Sequence, residues 1–377
     1  MRKALKIVAI LVLVVIVAVL GFYLWASRTA ARKLARVYQV HTMSFPIPFP
    51  LPPEEVARRK LTPAAADSVA RQEALARGRH LLTARYACMG CHGDRLGGGT
   101  MVDAPPIGRI LGPNLTGGKG GRSAGFQAAD FDRIVRHGVK PGGLPALMPS
   151  VDFRRMSDQE LSDIIVYLRA QPPVDSLVPA PTLGPLGKVL VATGKVRLSA
   201  DLIAAEGTPH PVLPPPTAPT VEFGRHLAAT CSGCHGENLA GGPIQGGDPS
   251  WPPAANLTPD ASALGDWTFE QFVALLRQAK RPDGPPLAEP MAGVTVLTRN
   301  MTDVELEALW KFLRSIPAVP ARPQRCRRGR GPRHERGQRP PPTMSAMAAS
   351  AHATPATCRR LSRSPSTTRA RSTVLAG

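Results

Sequence analysis

From Ile7 to Trp25 the chain runs nineteen residues without a charge. At about 1.5 Å per residue, a helix of that length matches the roughly 30 Å hydrocarbon core of a bilayer. Phe22, Tyr23 and Trp25 gather at its far end, where amphipathic rings favour the membrane interface. A cleaved secretory signal has a shorter apolar run, about 7–15 residues, followed by small residues at the cleavage site. Arg28 stands where those small residues are wanted, so the pattern predicts a retained transmembrane anchor over residues 7–26. Arg2, Lys3 and Lys6 precede the run and Arg28, Arg32, Lys33 and Arg36 follow it, so charge bias does not set its orientation.

Beyond the anchor the apolar positions take a helical period. Leu161, Ile164, Ile165 and Leu168 recur at i, i+3, i+4 and i+7, as do Leu306, Leu309, Trp310 and Leu313. Ser157 with Glu160, and Thr302 with Glu305, form the capping-box pattern that satisfies free N–H groups at a helix start, and Pro172 and Pro317 close the two helices. Helices are also predicted over Asp67–Tyr86, over 128–137 ahead of Gly138, and over 268–279, where Thr268 and Gln271 suggest another capping box. No stretch alternates as a strand. The expected fold is all-α with long glycine-rich loops.

These helices belong to a repeat. GRHLLTARYACMGCHGDRLGGG (78–99) answers GRHLAATCSGCHGENLAGG (224–242), and Asn114-Leu115-Thr116 answers Asn256-Leu257-Thr258. MSDQELSDIIVYLRAQPPV (156–174) answers MTDVELEALWKFLRSIPAV (301–319) with eight identities and no gap, which marks a tandem duplication of one module. The organisation read from this is an anchor (7–26), a proline-rich spacer (27–66), a first module (67–174), a linker rich in proline and glycine (175–219) and a second module (220–320). Residues 321–377 lack apolar periodicity and read as a disordered basic tail, or as out-of-frame translation.

The formal charge of +20 changes this picture little once it is located. Residues 1–36 carry seven Lys/Arg and no acid, and residues 321–377 carry 13 Arg against Glu335 alone, leaving the body close to neutral. The charge belongs to the ends, and no nucleic-acid partner is expected.

Six cysteines are few, yet CMGCH (Cys88, Cys91, His92) and CSGCH (Cys231, Cys234, His235) repeat one arrangement. A zinc ribbon wants its two pairs about 15–20 residues apart, and a thioredoxin-like pair wants a βαβ setting. A disulfide leaves the histidine unexplained. What remains is covalent haem c: two thiols at this spacing add to one porphyrin, and the adjacent imidazole reaches its iron. The second axial position then decides function. His92 to Met148 and His235 to Met291 are both 56 residues, and each methionine adjoins a proline, so Met148 and Met291 are the expected distal ligands. Met156 and Met301 stand directly before Ser157 and Thr302 and read as hydrophobic-staple residues packing at the two helix starts. His80 and His226 (GRH in both copies) lie eight and five residues before the cysteines and read as surface or packing side chains, while His137 reads as a helix C-terminal cap. The Asn-Leu-Thr triplets match a glycosylation acceptor, a pattern too common to weigh.

The order of leading helix, CxxCH, GPNLT, methionine loop and capped terminal helix resembles class I c-type cytochromes. On a membrane anchor, the pair is similar to di-haem proteins related to the cytochrome subunit of membrane-bound alcohol dehydrogenases. That resemblance, over residues 67–174 and 220–319, implies thioethers at Cys88, Cys91, Cys231 and Cys234 and proximal ligation by His92 and His235. It implies that the Pro113 carbonyl orients the proximal imidazole, a contact expected to weaken in the second module, where Ala255 stands in its place. It further implies two haem c groups, redox protein partners (a dehydrogenase or quinol-oxidising complex and a terminal acceptor), and haem domains in the periplasm of a bacterial inner membrane. With both axial positions filled, the expected role is a single-electron carrier without catalysis of its own. The alternative is a di-haem peroxidase with one open haem; a haem-based sensor would need an effector domain, and none is recognised.

Overall fold

The computed structural model describes residues 2–203, 210–244, 247–248, 250–282 and 284–320, so the predicted tail over 321–377 lies outside the described residues. Helix Arg2–Leu34 contains the apolar run and continues past it. Among the described residues it is the one helix long and apolar enough to cross a membrane. Its last turns are not free: Ala26 and Ala30 are buried, the helix packs on helix Pro185–Ala192, and Lys33 Nζ donates to the Val191 and Ala192 carbonyls at 2.9 and 3.3 Å.

Each module is built on one crossing of two helices. In the first, leading helix Pro63–His80 lies across terminal helix Asp158–Arg169; in the second, Val221–Ala228 lies across Asp303–Ser315. The terminal helices bury the apolar stripes expected of them, Leu161, Ile164, Ile165 and Leu168 in one and Leu306, Leu309 and Leu313 in the other, where Trp310 is half-buried against the same cluster. Burying each such side chain contributes about 1.5–3 kcal/mol. Both predicted capping boxes form, with Ser157 Oγ accepting from the Glu160 N–H and Thr302 Oγ1 from the Glu305 N–H, each at 3.2 Å. Glycine sets the closeness of the crossings. A Cβ on Gly78 would overlap the Asp163 carbonyl, and one on Gly224 the Ala308 carbonyl, which gives the glycine of both GRH triplets its reason. Helices Ala128–Val135 and Phe269–Gln278 complete the modules, the latter with the expected Thr268–Gln271 box.

The molecule is mostly helical, but the all-α expectation needs one correction. Strand β1 (Gly99–Ala104) pairs antiparallel with β2 (Gly108–Gly112), which takes β3 (Thr182–Leu183) on its other edge. The spacer and the linker also fold onto the body. Phe45, Ile47 and Phe49 pack into the first module's core, and the Pro46 carbonyl accepts from Ser162 Oγ at 2.7 Å. Residues 182–203 supply β3 and helices Pro185–Ala192 and Ser199–Ile203.

Candidate functional site

In each module the CxxCH residues form one tight helical turn, Cys88–His92 and Ser232–His235, ended by a glycine (Gly93 or Gly236) at φ +79° that lets the chain reverse after the histidine. The thiols of Cys88, Cys91, Cys231 and Cys234 are all unpaired. Burial, reinforced by Cys91, pushes Cys88 up to about 12; burial also takes Cys231 up to about 11. A dithiol redox motif requires the opposite, a lowered thiol pKa, so the structure argues against a thioredoxin-like pair.

The histidines are aimed. His92 Nδ1 donates to the Pro113 carbonyl at 2.8 Å, and His235 Nδ1 donates to the Ala255 carbonyl at 2.7 Å. The contact expected to weaken in the second module is therefore intact, because the acceptor is a backbone oxygen and does not depend on the proline ring. With the proton fixed on Nδ1, Nε2 carries the lone pair that a metal takes, the arrangement found around ligating imidazoles. Burial lowers the pKa of both rings against the opposing pull of those carbonyls, which keeps them neutral near pH 7. Free thiols at this spacing, beside a neutral imidazole with its outer nitrogen open, fit haem c.

Asn114 and Asn256 hold the loops carrying those carbonyls. Asn114 Nδ2 donates to the Val174 carbonyl and Asn256 Nδ2 to that of Val319, both at 2.7 Å, and the N–H groups of Val174 and Val319 donate back to Thr116 and Thr258 Oγ1 at 2.9 and 3.0 Å. Asn114 is fully buried, so its triplet is a structural clasp and not a glycan acceptor. The repeat held the signal: Asn, Thr and the valine after the terminal helix recur together.

The methionines divide as follows. Met156 and Met301 are buried in the two cores, as packing residues should be. Met291 packs against the same apolar cluster as Cys231 and begins helix Met291–Thr298, where a loop was expected. Met148 is half-buried, outside both main clusters, and its carbonyl accepts from Ser199 Oγ at 2.9 Å.

The largest departure from the sequence reading concerns His80 and His226. They join the modules reciprocally: His80 Nε2 lies 2.9 Å from both Glu305 oxygens, and His226 Nε2 lies 2.9 and 3.0 Å from those of Glu160. Each capping-box glutamate thus takes a histidine from the opposite module. Arg85 spans them, giving Nη1 to Glu160 at 3.0 Å and Nε to Glu305 at 2.6 Å. Arg85 lies in the interval between GRH and CxxCH, which is three residues longer in the first module, and ends a π-helical turn, Leu81–Arg85. The unequal spacing that speaks against His80 and His226 as iron ligands accompanies the residue that serves both sides. Further along this face, Gly233 packs so closely on the Asp152 carboxylate that a Cβ would overlap it.

Both modules match known protein families. Residues 73–168 match the family described as cytochrome C oxidase, cbb3-type, subunit III, and residues 221–317 match the family described as cytochrome c. The fructose dehydrogenase cytochrome subunit of Gluconobacter japonicus is 27% identical over 281 residues, 68% of this chain and 54% of that protein. The alcohol dehydrogenase (quinone) cytochrome c subunit of Gluconacetobacter polyoxogenes is 27% identical over 255 residues, 61% of this chain and 53% of that protein. A diheme cytochrome c-type protein of Cereibacter sphaeroides is 25% identical over 229 residues, covering 56% and 73% respectively. This chain spans about half the length of the two dehydrogenase subunits.

Proposed function

We propose that this chain, a c-type cytochrome resembling the cytochrome subunits of membrane-bound dehydrogenases, is a membrane-anchored di-haem carrier of single electrons. The observation that carries the reading is the duplicated turn of two free thiols and a histidine pinned through Nδ1. Haem c, when bound, supplies a one-electron couple between ferrous and ferric iron. Cys88, Cys91, Cys231 and Cys234 would hold it through thioethers, His92 and His235 would offer Nε2, and Met148 and Met291 would close the distal positions. The partners would be a dehydrogenase or quinol-oxidising complex on one side and a terminal acceptor on the other, by analogy with the enzymes to which the relatives belong.

Haem stoichiometry is the direct test. The pyridine haemochrome assay should find two haems per chain, retained through denaturing electrophoresis, and the double substitution Cys88→Ala, Cys91→Ala should lower the count to one. A count that stays at two after that substitution would remove Cys88 and Cys91 from the assignment.

The apolar helix would hold the protein in the cytoplasmic membrane with both haem modules on the periplasmic face. Full-length protein should stay with membranes through a high-salt wash, while a form beginning near Leu61 should be released. Release of the full-length form by salt alone would mean that its basic residues, not the apolar run, hold it.

A further inference from the structure

A cluster outside the haem-binding turns joins the first module to the linker. His137 follows helix Ala128–Val135, Asp132 lies within that helix, and His210 comes from the linker. The Nε2 atoms of His137 and His210 face one another at 3.2 Å. His137 Nε2 lies 3.7 Å from Asp132 Oδ2, and His210 Nε2 lies 3.7 Å from Asp132 Oδ1. Ligand atoms bound tetrahedrally at about 2.0–2.1 Å stand roughly 3.3 Å apart, so small side-chain adjustments bring all three onto one ion.

Two further features favour a cation. His210 Nδ1 donates to the Arg154 carbonyl at 2.8 Å, which fixes its tautomer and turns the Nε2 lone pair toward the cluster, as carbonyls orient His92 and His235. The buried charges nearby are also unbalanced. Arg136 is shared between Asp132 and Asp158, each at 2.7 Å, so two carboxylates face one guanidinium. A hydrogen bond from His137 to His210 accounts for the approach of the rings, and the Met43 N–H donates to Asp132 Oδ2 at 2.7 Å, but neither bond brings a positive charge.

We infer that Asp132, His137 and His210 bind a divalent transition cation of the zinc type, which staples the linker to the first module. Two imidazoles and one carboxylate suit such an ion better than calcium or magnesium, which take oxygen ligands. The staple lies beside the segment that carries Met148. Ser150 Oγ donates to the Ile134 carbonyl at 2.9 Å, and the Ala146 N–H donates to the Gly138 carbonyl at 2.7 Å.

The test uses the full-length holoprotein, stripped with EDTA, equilibrated with a small excess of zinc sulfate and desalted. Wild type should retain one Zn²⁺ per chain by mass spectrometry of the metal and melt at a higher temperature than the stripped form. His137→Ala and His210→Gln, with unchanged haem spectra, should each retain less than a tenth as much zinc and lose the thermal shift. Wild type that retains no zinc, or variants that retain as much as wild type, would overturn the site. Should either variant lose its haem spectrum, labelling of wild type with diethyl pyrocarbonate decides instead. Zinc should protect His137 and His210 together, and equal labelling with and without zinc overturns the proposal.

Discussion

Replacing Met291 with Ala is expected to convert one haem from low to high spin and to remove about half of the weak near-infrared sulfur-to-iron band of the oxidised protein. The thioether favours ferrous iron, so its loss should also lower that haem's potential and open the iron to water or carbon monoxide. Met148→Ala should do the same at the other haem while leaving the Met291 signal intact. Met156→Ala and Met301→Ala are the controls. Both side chains are buried in the cores, so they should cost stability, about 2–5 kcal/mol for a methionine truncated in a core, with little spectral change. Spectra of Met148→Ala and Met291→Ala that match wild type would exclude both as ligands. A wild-type protein that already holds one high-spin haem and turns over hydrogen peroxide would replace the carrier reading with a peroxidase.

Arg85→Leu should cost about 3–5 kcal/mol of stability, because it removes the guanidinium that two buried carboxylates share and leaves each with only its histidine and its own cap. Arg85→Lys should recover only part of it, since an ammonium cannot reach both acids with separate nitrogens. Thermal unfolding followed at the haem bands measures this, and an Arg85→Leu melting point within a degree of wild type would show that the cross-module network contributes nothing. The same network predicts acid sensitivity. Burial alone would raise the Glu305 carboxyl, but the His80 hydrogen bond and the Arg85 charge outweigh it and hold the group at about 2. Glu160 is lowered likewise, with His226 and Arg85 prevailing over burial. Because these folded-state values lie below the ordinary carboxylate value of about 4.3, their stabilisation is complete above it and drains away as pH falls toward 2. In Arg85→Leu the loss should begin at higher pH.

Features that depend on residues near in sequence were legible before the fold was known. Ser157 with Glu160 and Thr302 with Glu305 announced both helix starts, and the equal intervals from histidine to methionine pointed to one module used twice. What escaped the sequence depended on distant chain. Glu160 and Glu305 satisfy their own caps completely, so nothing in their local pattern shows that each carboxylate also meets a histidine from the other module. The prolines at 46 and 48 suggested a stiff spacer, while the side chains between and beside them, Phe45, Ile47 and Phe49, find a core to enter. The Ala255 contact was undervalued because a residue type was read where only its carbonyl mattered.

The seat of Gly233 on Asp152 has a kinetic meaning. Asp152 belongs to the short turn Ser150–Asp152 that follows Met148, so the second haem-binding turn rests on the segment leading away from that methionine. If Met148 is the distal ligand, as proposed, this contact would join the two haem modules through one short segment of chain. Exchange of an electron between the modules would then be internal to the molecule and independent of protein concentration. An electron delivered at either module would reach the other without a second encounter, so donor and acceptor would not need to compete for one docking face.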